Sequence, residues 1–227
     1  MGFIRAAFIT SLVGAVGTSS FAAYLAAKNP VITPLSPTDP IWSSKVFKRY
    51  NPNRNPTQQD ICIKRIPLSK VRPELLEKPG ALATEYCRGV WTSLGFEVQR
   101  RYLEYKYSSP ETAHNLWSKE QLSTSNYEKG TCIADHFEVV ERTNDAITLR
   151  CGDSPRNSGL RGFDGLFVVS AKVDKEHDEV ELGLKSALFT SEGKIEGKKP
   201  NTPPLIEELH QWYARIWSEG GSRRLLK

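Results

Sequence analysis

The chain predicts an α+β fold: a curved antiparallel sheet packed on a long C-terminal helix, preceded by helices and an N-terminal membrane helix. Three observations predict it. After Gly130 apolar and polar residues alternate in a series of short runs, the period of strands with one wet face. Between Leu205 and Trp217 apolar residues recur every three or four positions, the period of a helix. Residues 8–27, FITSLVGAVGTSSFAAYLAA, carry no charge at all. A length of 227 residues suits one ordinary domain with an appendage. With 39% hydrophobic and 25% charged residues, the chain is neither disordered throughout nor a multi-span membrane protein. Four cysteines are too few for a disulfide scaffold, and a net charge of +5 is too diffuse to imply nucleic acid.

Taking the elements in order, twenty uncharged helical residues at about 1.5 Å each span about 30 Å, the thickness of a bilayer core. Arg5 precedes the run and Lys28 follows it, with no acid before Asp39. Such a segment reads as a retained single-pass anchor, a cleaved secretory signal or a mitochondrial presequence. We adopt the first: the membrane is a partner through residues 8–27, in the endoplasmic reticulum or a mitochondrion. Lys45, Lys48, Arg49 and Arg54 downstream, against Arg5 upstream, place the body in the cytosol. Residues 29–58 hold six prolines and form a spacer, because such a run cannot make a continuous helix or a central strand. Ile41, Trp42, Val46, Phe47 and Tyr50 are too apolar for a free tether and are expected to lie against the body. Residues 59–218 form that body, and residues 219–227 a basic tail.

In the body, Asp60–Ile66 alternates Ile61 and Ile63 against Cys62 and Lys64, a short strand. Pro73 opens a helical turn, and Leu82, Tyr86, Val90 and Trp91 follow at helical spacing as far as Gly95. Residues 96–107 fit helix or strand equally. Ser109-Pro110-Glu111 caps a further helix, and Ser118-Lys119-Glu120-Gln121 has the capping-box pattern. Ile133, Phe137 and Val139 predict one strand, followed by a tight turn at Asn144-Asp145. Ile147–Cys151, Phe167–Val173 and Val180–Leu184 supply three more. Pro203 begins the last helix and Gly220-Gly221 ends it.

This order of elements over residues 59–218 resembles the helix-grip (START or polyketide-cyclase-like) superfamily. That resemblance implies a sheet wrapped round a terminal helix, with an apolar cavity between them. A nuclear-transport-factor-like cone is the alternative, but it usually ends in a strand. Arg150-Cys151-Gly152-Asp153-Ser154-Pro155, Asp164-Gly165-Leu166-Phe167, the run Pro34–Pro40, and His210 with Tyr213 resemble an uncharacterised fungal protein group. Some of its members lie near secondary-metabolite genes. The resemblance implies an accessory role there but no established activity or cofactor.

A cavity between sheet and last helix would make Leu209, His210, Trp212, Tyr213 and Ile216 ligand-binding residues. Candidate catalytic residues are His136, Arg150, Asp153 and Asp164. An arginine there could hold a carboxylate or enolate oxygen, and an Asp could move protons. The competing reading is an Arg–Asp network that pins the Gly159–Gly165 turn. Gly152-Asp153-Ser154 is set aside as a hydrolase motif, because it lies in an antiparallel meander and too little chain follows it. Glu207-x-x-His210 occurs once, and no histidine pair or Cys-x-x-Cys has ligand spacing, so no metal is expected. Of Cys62, Cys87, Cys132 and Cys151, the last two lie too far apart along their strands to bridge; Cys62–Cys87 or a cross-pairing is the alternative to the preferred reading, reduced thiols. Arg100–Tyr107 reads as an amphipathic structural segment, and nucleic acid is not an expected partner. No phosphate loop or dinucleotide fingerprint is present, so no cofactor is expected. The functional expectation is therefore a membrane-anchored domain that binds an apolar small molecule, as carrier or cofactor-free cyclase or isomerase. The alternative is a non-catalytic, membrane-tethered interaction protein.

Overall fold

A computed structural model describes residues 20–197 and 203–227. Its seven strands form one antiparallel sheet: β1 (Val31–Ile32), β2 (Gln58–Pro67), β3 (Cys132–Ile133), β4 (Phe137–Arg142), β5 (Ala146–Cys151), β6 (Asp164–Asp174) and β7 (Glu179–Phe189). Their spatial order is β1-β2-β7-β6-β5-β4-β3. The first long strand thus pairs with the last, from Gln58 opposite Leu188 to Pro67 opposite Glu179. The α+β class and the antiparallel sheet agree with the sequence.

Two details of the meander differ from expectation. Ala134 and Asp135 adopt positive φ (49° and 48°), so the run read as one strand folds back as β3 and β4. The bulge between Val139 and Glu141 then shifts the β4–β5 register by one residue, from Glu141 opposite Thr148 to Glu138 opposite Arg150. In β2 the inward phase belongs to Cys62 and Ile66, while Ile61 faces a smaller cluster on the opposite side.

The inner face carries helices α4 (Glu74–Glu77), α5 (Ala81–Thr92), α6 (Leu94–Tyr107), α7 (Lys119–Thr124) and α8 (Pro204–Ser222). A helix buried on most sides is largely apolar, and any charge on it needs a partner. That is the state of α5, where Tyr86, Cys87, Val90 and Trp91 are buried and the buried acid Glu85 is paired with Arg72, Arg88 and Arg224. A Cβ added to Gly89 would stand 2.1 Å from the Gly221 carbonyl oxygen. Gly220 and Gly221 therefore do not end α8 but let it press against α5, backbone to backbone. The ambiguous stretch 96–107 belongs to α6, a helix. At Ser109 only the single turn Pro110–Thr112 forms, whereas the capping box at Ser118 does start α7.

The apolar face expected for α8 is also displaced. Ala214, Trp217, Ser218, Gly221 and Ser222 are the buried residues, while Leu205, Ile206, Leu209 and Ile216 are exposed. Small residues lie inward because α5 crosses there.

Of the expected membrane helix, residues 8–19 lie outside the described residues. Residues 20–28 form helix α1 against the body, with Leu25 buried. Tyr24 Oη and the Asn29 amide both donate to the Glu219 carboxylate. A membrane helix over residues 8–27 is thus not supported: among the described residues, no helix is long and apolar enough to cross a membrane. Downstream, β1 extends the sheet, and the short helices α2 (Pro40–Ser43) and α3 (Lys45–Tyr50) cover its outer face. Ile41, Trp42, Val46, Phe47 and Tyr50 form a second small core there with Leu166, Val168 and Ala187. At the C-terminus Leu225 is buried, and Leu226 bridges to Val71.

Candidate functional site

Trp91, Phe96, Phe137, Phe167 and Trp217 meet on the inner face of the sheet, with ring centroids 4.7–6.1 Å apart. Edge-to-face packing of this kind fills the interior closely. What it leaves is a cavity of about 170 Å³ between the sheet, α6 and α8. Phe163, Phe167, Leu188, Ala214 and Trp217 supply apolar wall, and Gln99, His136, Ser186, His210 and Tyr213 supply polar groups. Pockets for drug-sized ligands run to about 300–1,000 Å³, so this one suits a small molecule or one end of a larger one.

The polar groups have definite partners. Asp60 on β2 stands directly opposite Ser186 on β7, and both face α8. His210 Nε2 lies 3.1 Å from Ser186 Oγ and 3.5 Å from Asp60 Oδ2. Asp60 is 1% exposed, and its Oδ1 has no hydrogen-bond partner among the described residues. Burial pushes its carboxyl above the ordinary range, against the opposing pull of His210. A Ser–His–Asp relay uses the two different nitrogens of the imidazole. Here one nitrogen faces both partners, so the trio does not arm Ser186 as a nucleophile.

Tyr213 Oη donates to Gln99 Oε1 (2.9 Å), and burial pushes its phenol up to about 12. Trp217 Nε1 is buried with no partner among the described residues. His136 follows the positive-φ turn, its ring edge against Phe137 at 5.3 Å. Burial holds its imidazole below the ordinary value although Asp153 pulls the other way, which favours the neutral ring.

Arg150 and Asp164 are elsewhere. They form a buried pair, 2% and 0% exposed, joined by Nε to Oδ1 at 2.9 Å and Nη2 to Oδ2 at 2.6 Å. Ser191 Oγ and the Gly165 amide also donate to Asp164. Arg150 further donates to the carbonyls of Ser158 and Gly159 and lies 4.3 Å from the Tyr50 ring centroid, which belongs to the outer cluster. Arg150 and Tyr213 therefore do not share one enclosed space. The neighbouring Arg161 donates to the carbonyls of Asp153, Ser154 and Asn157, and Asp153 accepts from the Ser154 amide and Asn157. Each arginine ties strand ends to the 152–163 loop, so this is the pinning network.

Among the candidate catalytic residues, only His136 lines the cavity; Arg150, Asp153 and Asp164 do not. Among the candidate ligand residues, His210 and Tyr213 line it, while Leu209 and Ile216 are exposed and Trp212 lies beneath Arg215. Asp60, Ser186, Gln99, Phe163 and Trp217 were not singled out from the sequence. Two of them leave a signal: Asp60 and Ser186 each interrupt the inward, apolar phase of a strand, between residues such as Cys62, Leu184 and Leu188. A polar residue in a buried phase needs a partner, and the partner is His210.

No group of three metal-ligating side chains occurs among the described residues. All four cysteines are free, and burial pushes the thiols of Cys62 and Cys151 up to about 12, so neither is a thiolate nucleophile. Compared with known proteins, the chain matches no family model, and no curated protein or solved structure is significantly similar to it.

Proposed function

We propose that the chain binds a small apolar molecule, or the apolar end of a larger one, in the cavity between the inner face of the sheet and α8. One observation carries this reading. The cavity combines aromatic walls with convergent polar side chains, Gln99, His136, Ser186, His210 and Tyr213, and buried Asp60 stands behind Ser186 and His210. Apolar walls with a few convergent polar groups are the usual make-up of a small-molecule site. If the bound molecule reacts, the groups in reach support cofactor-free proton transfer, with His210 and the neutral His136 as donor or acceptor. An isomerase or cyclase acting as an accessory in secondary-metabolite biosynthesis falls within that class.

Native mass spectrometry of the full chain, purified from its own host, tests the reading. The expected result is an added mass, lost on denaturation and lost in the Ser186→Leu variant, which places a larger apolar side chain in the cavity. A clean apo mass, unchanged after incubation with hydrophobic host extract, overturns it.

A further inference from the structure

Among the described residues, the most exposed apolar side chains sit on two neighbouring helices. On α6, Leu94, Val98 and Tyr105 are 85%, 76% and 91% exposed. On α8, Leu205, Leu209 and Ile216 are likewise exposed. A Cβ added to Gly95 would lie 3.0 Å from Ile216 Cγ2, and Gln99 accepts from Tyr213. These two contacts set α6 and α8 side by side and antiparallel, so their outward stripes form one surface. Isolated exposed hydrophobes need no explanation, but a contiguous two-helix face does.

We propose that this α6–α8 face lies on a lipid bilayer. Three observations favour that occupant. Phe21, Leu94 and Ile216 line one common groove, so the surface begins where helix α1 meets the body. Residues 20–27 of helix α1 are the C-terminal part of the uncharged run 8–27, and Leu25, Tyr24 and Asn29 fasten this helix to the body, which keeps the face beside the end of that run. The face also carries an amphipathic ring accompanied by a cation, Lys106 over Tyr102 at 5.7 Å. Exposed Lys28, Arg101 and Arg223 add positive charge suited to anionic headgroups. The proposal does not rest on a ligand in the cavity, although Gln99 and Tyr213, which join the two helices, also line it.

The test uses the full chain with Cys132→Ser and one added thiol, Val98→Cys, Leu209→Cys or, on the opposite side of the sheet, Lys48→Cys. Each thiol carries an environment-sensitive fluorophore, and the chain is mixed with phosphatidylcholine–phosphatidylserine vesicles holding acyl-chain spin labels. The expected result is a blue shift and loss of emission at positions 98 and 209, with neither at position 48. Positions 98 and 209 staying as wet as 48 on vesicles that carry the chain would overturn the proposal. Shielding without lipid would overturn it too: independent of protein concentration it assigns the face to the chain's own upstream residues, and rising with concentration to a second copy.

Discussion

Replacing Arg150 by methionine removes a cation from the buried pair while keeping most of the side chain's length. Asp164, fully buried, would keep only the Ser191 hydroxyl and the Gly165 amide as donors. The carbonyls of Ser158 and Gly159 would lose their donor, and the Tyr50 ring its guanidinium. Removing one partner of a buried pair costs about 3–5 kcal/mol, because the other charge is left uncompensated. For a chain of this size that corresponds to roughly 6–20 °C in melting temperature. Urea titration of wild type and Arg150→Met measures the difference directly. The Arg150→Met/Asp164→Leu double variant should recover most of it, since an apolar replacement of the whole pair is close to neutral. Ligand mass in native spectra should be unchanged below the unfolding transition. A stability loss under about 1 kcal/mol, or loss of ligand at unchanged stability, would refute the reasoning and return Arg150 to the functional site.

Gly89→Ala should destabilise far beyond the ordinary small effect of such a change, because its Cβ would meet the Gly221 carbonyl at 2.1 Å; Gly162→Ala, with nothing closer than 3.7 Å, should be nearly neutral in the same melts. Trp217→Ala should cost about 3–5 kcal/mol by urea titration and open the cavity toward the aromatic cluster. Phe163→Ala, at a half-exposed wall, should weaken ligand retention in native spectra with little change in stability. Burial raises the Asp60 carboxyl above its ordinary 3.8, so the folded state binds more protons than the unfolded one above that pH. Asp60 therefore favours folding at low pH, and that contribution falls as pH rises through its folded-state value. Asp60→Asn should gain stability relative to wild type over this rise; a constant difference across pH 3–8 would show that Asp60 does not titrate there.

Much of the fold is legible in local pattern. The alternations at Ile147–Cys151, Phe167–Val173 and Val180–Leu184 mark β5, β6 and β7, and the Ser118–Gln121 box marks the start of α7. Residues that serve two purposes mislead. Gly220-Gly221 has the composition of a helix end, but its lack of side chains is used for contact with α5. Ala134-Asp135 carries no turn signature, yet its positive φ splits one predicted strand into two. The phase of β2 misled because its inward set, Asp60, Cys62 and Ile66, includes a charged residue, while outward Ile61 is apolar and packs on the smaller cluster.

The candidate site was legible only in part. His136, His210 and Tyr213 stand out as polar groups on apolar elements, and all three reach the cavity. Arg150, Asp153 and Asp164 cluster in sequence just as visibly, but a cluster looks the same whether it binds a ligand or braces a loop. The sequence by itself determined the α+β class, the antiparallel meander and the long last helix, because hydrophobic period acts within a few residues. Only the tertiary structure decided which face of α8 is buried, that Asp60 and Ser186 meet His210, and that the Arg150–Asp164 pair belongs to the other side of the sheet. The meeting of Asp60 and Ser186 with His210 depends on strands more than a hundred residues apart, β2 and β7, lying side by side, and the Arg150–Asp164 pair on which sheet face the phase of β5 and β6 turns inward.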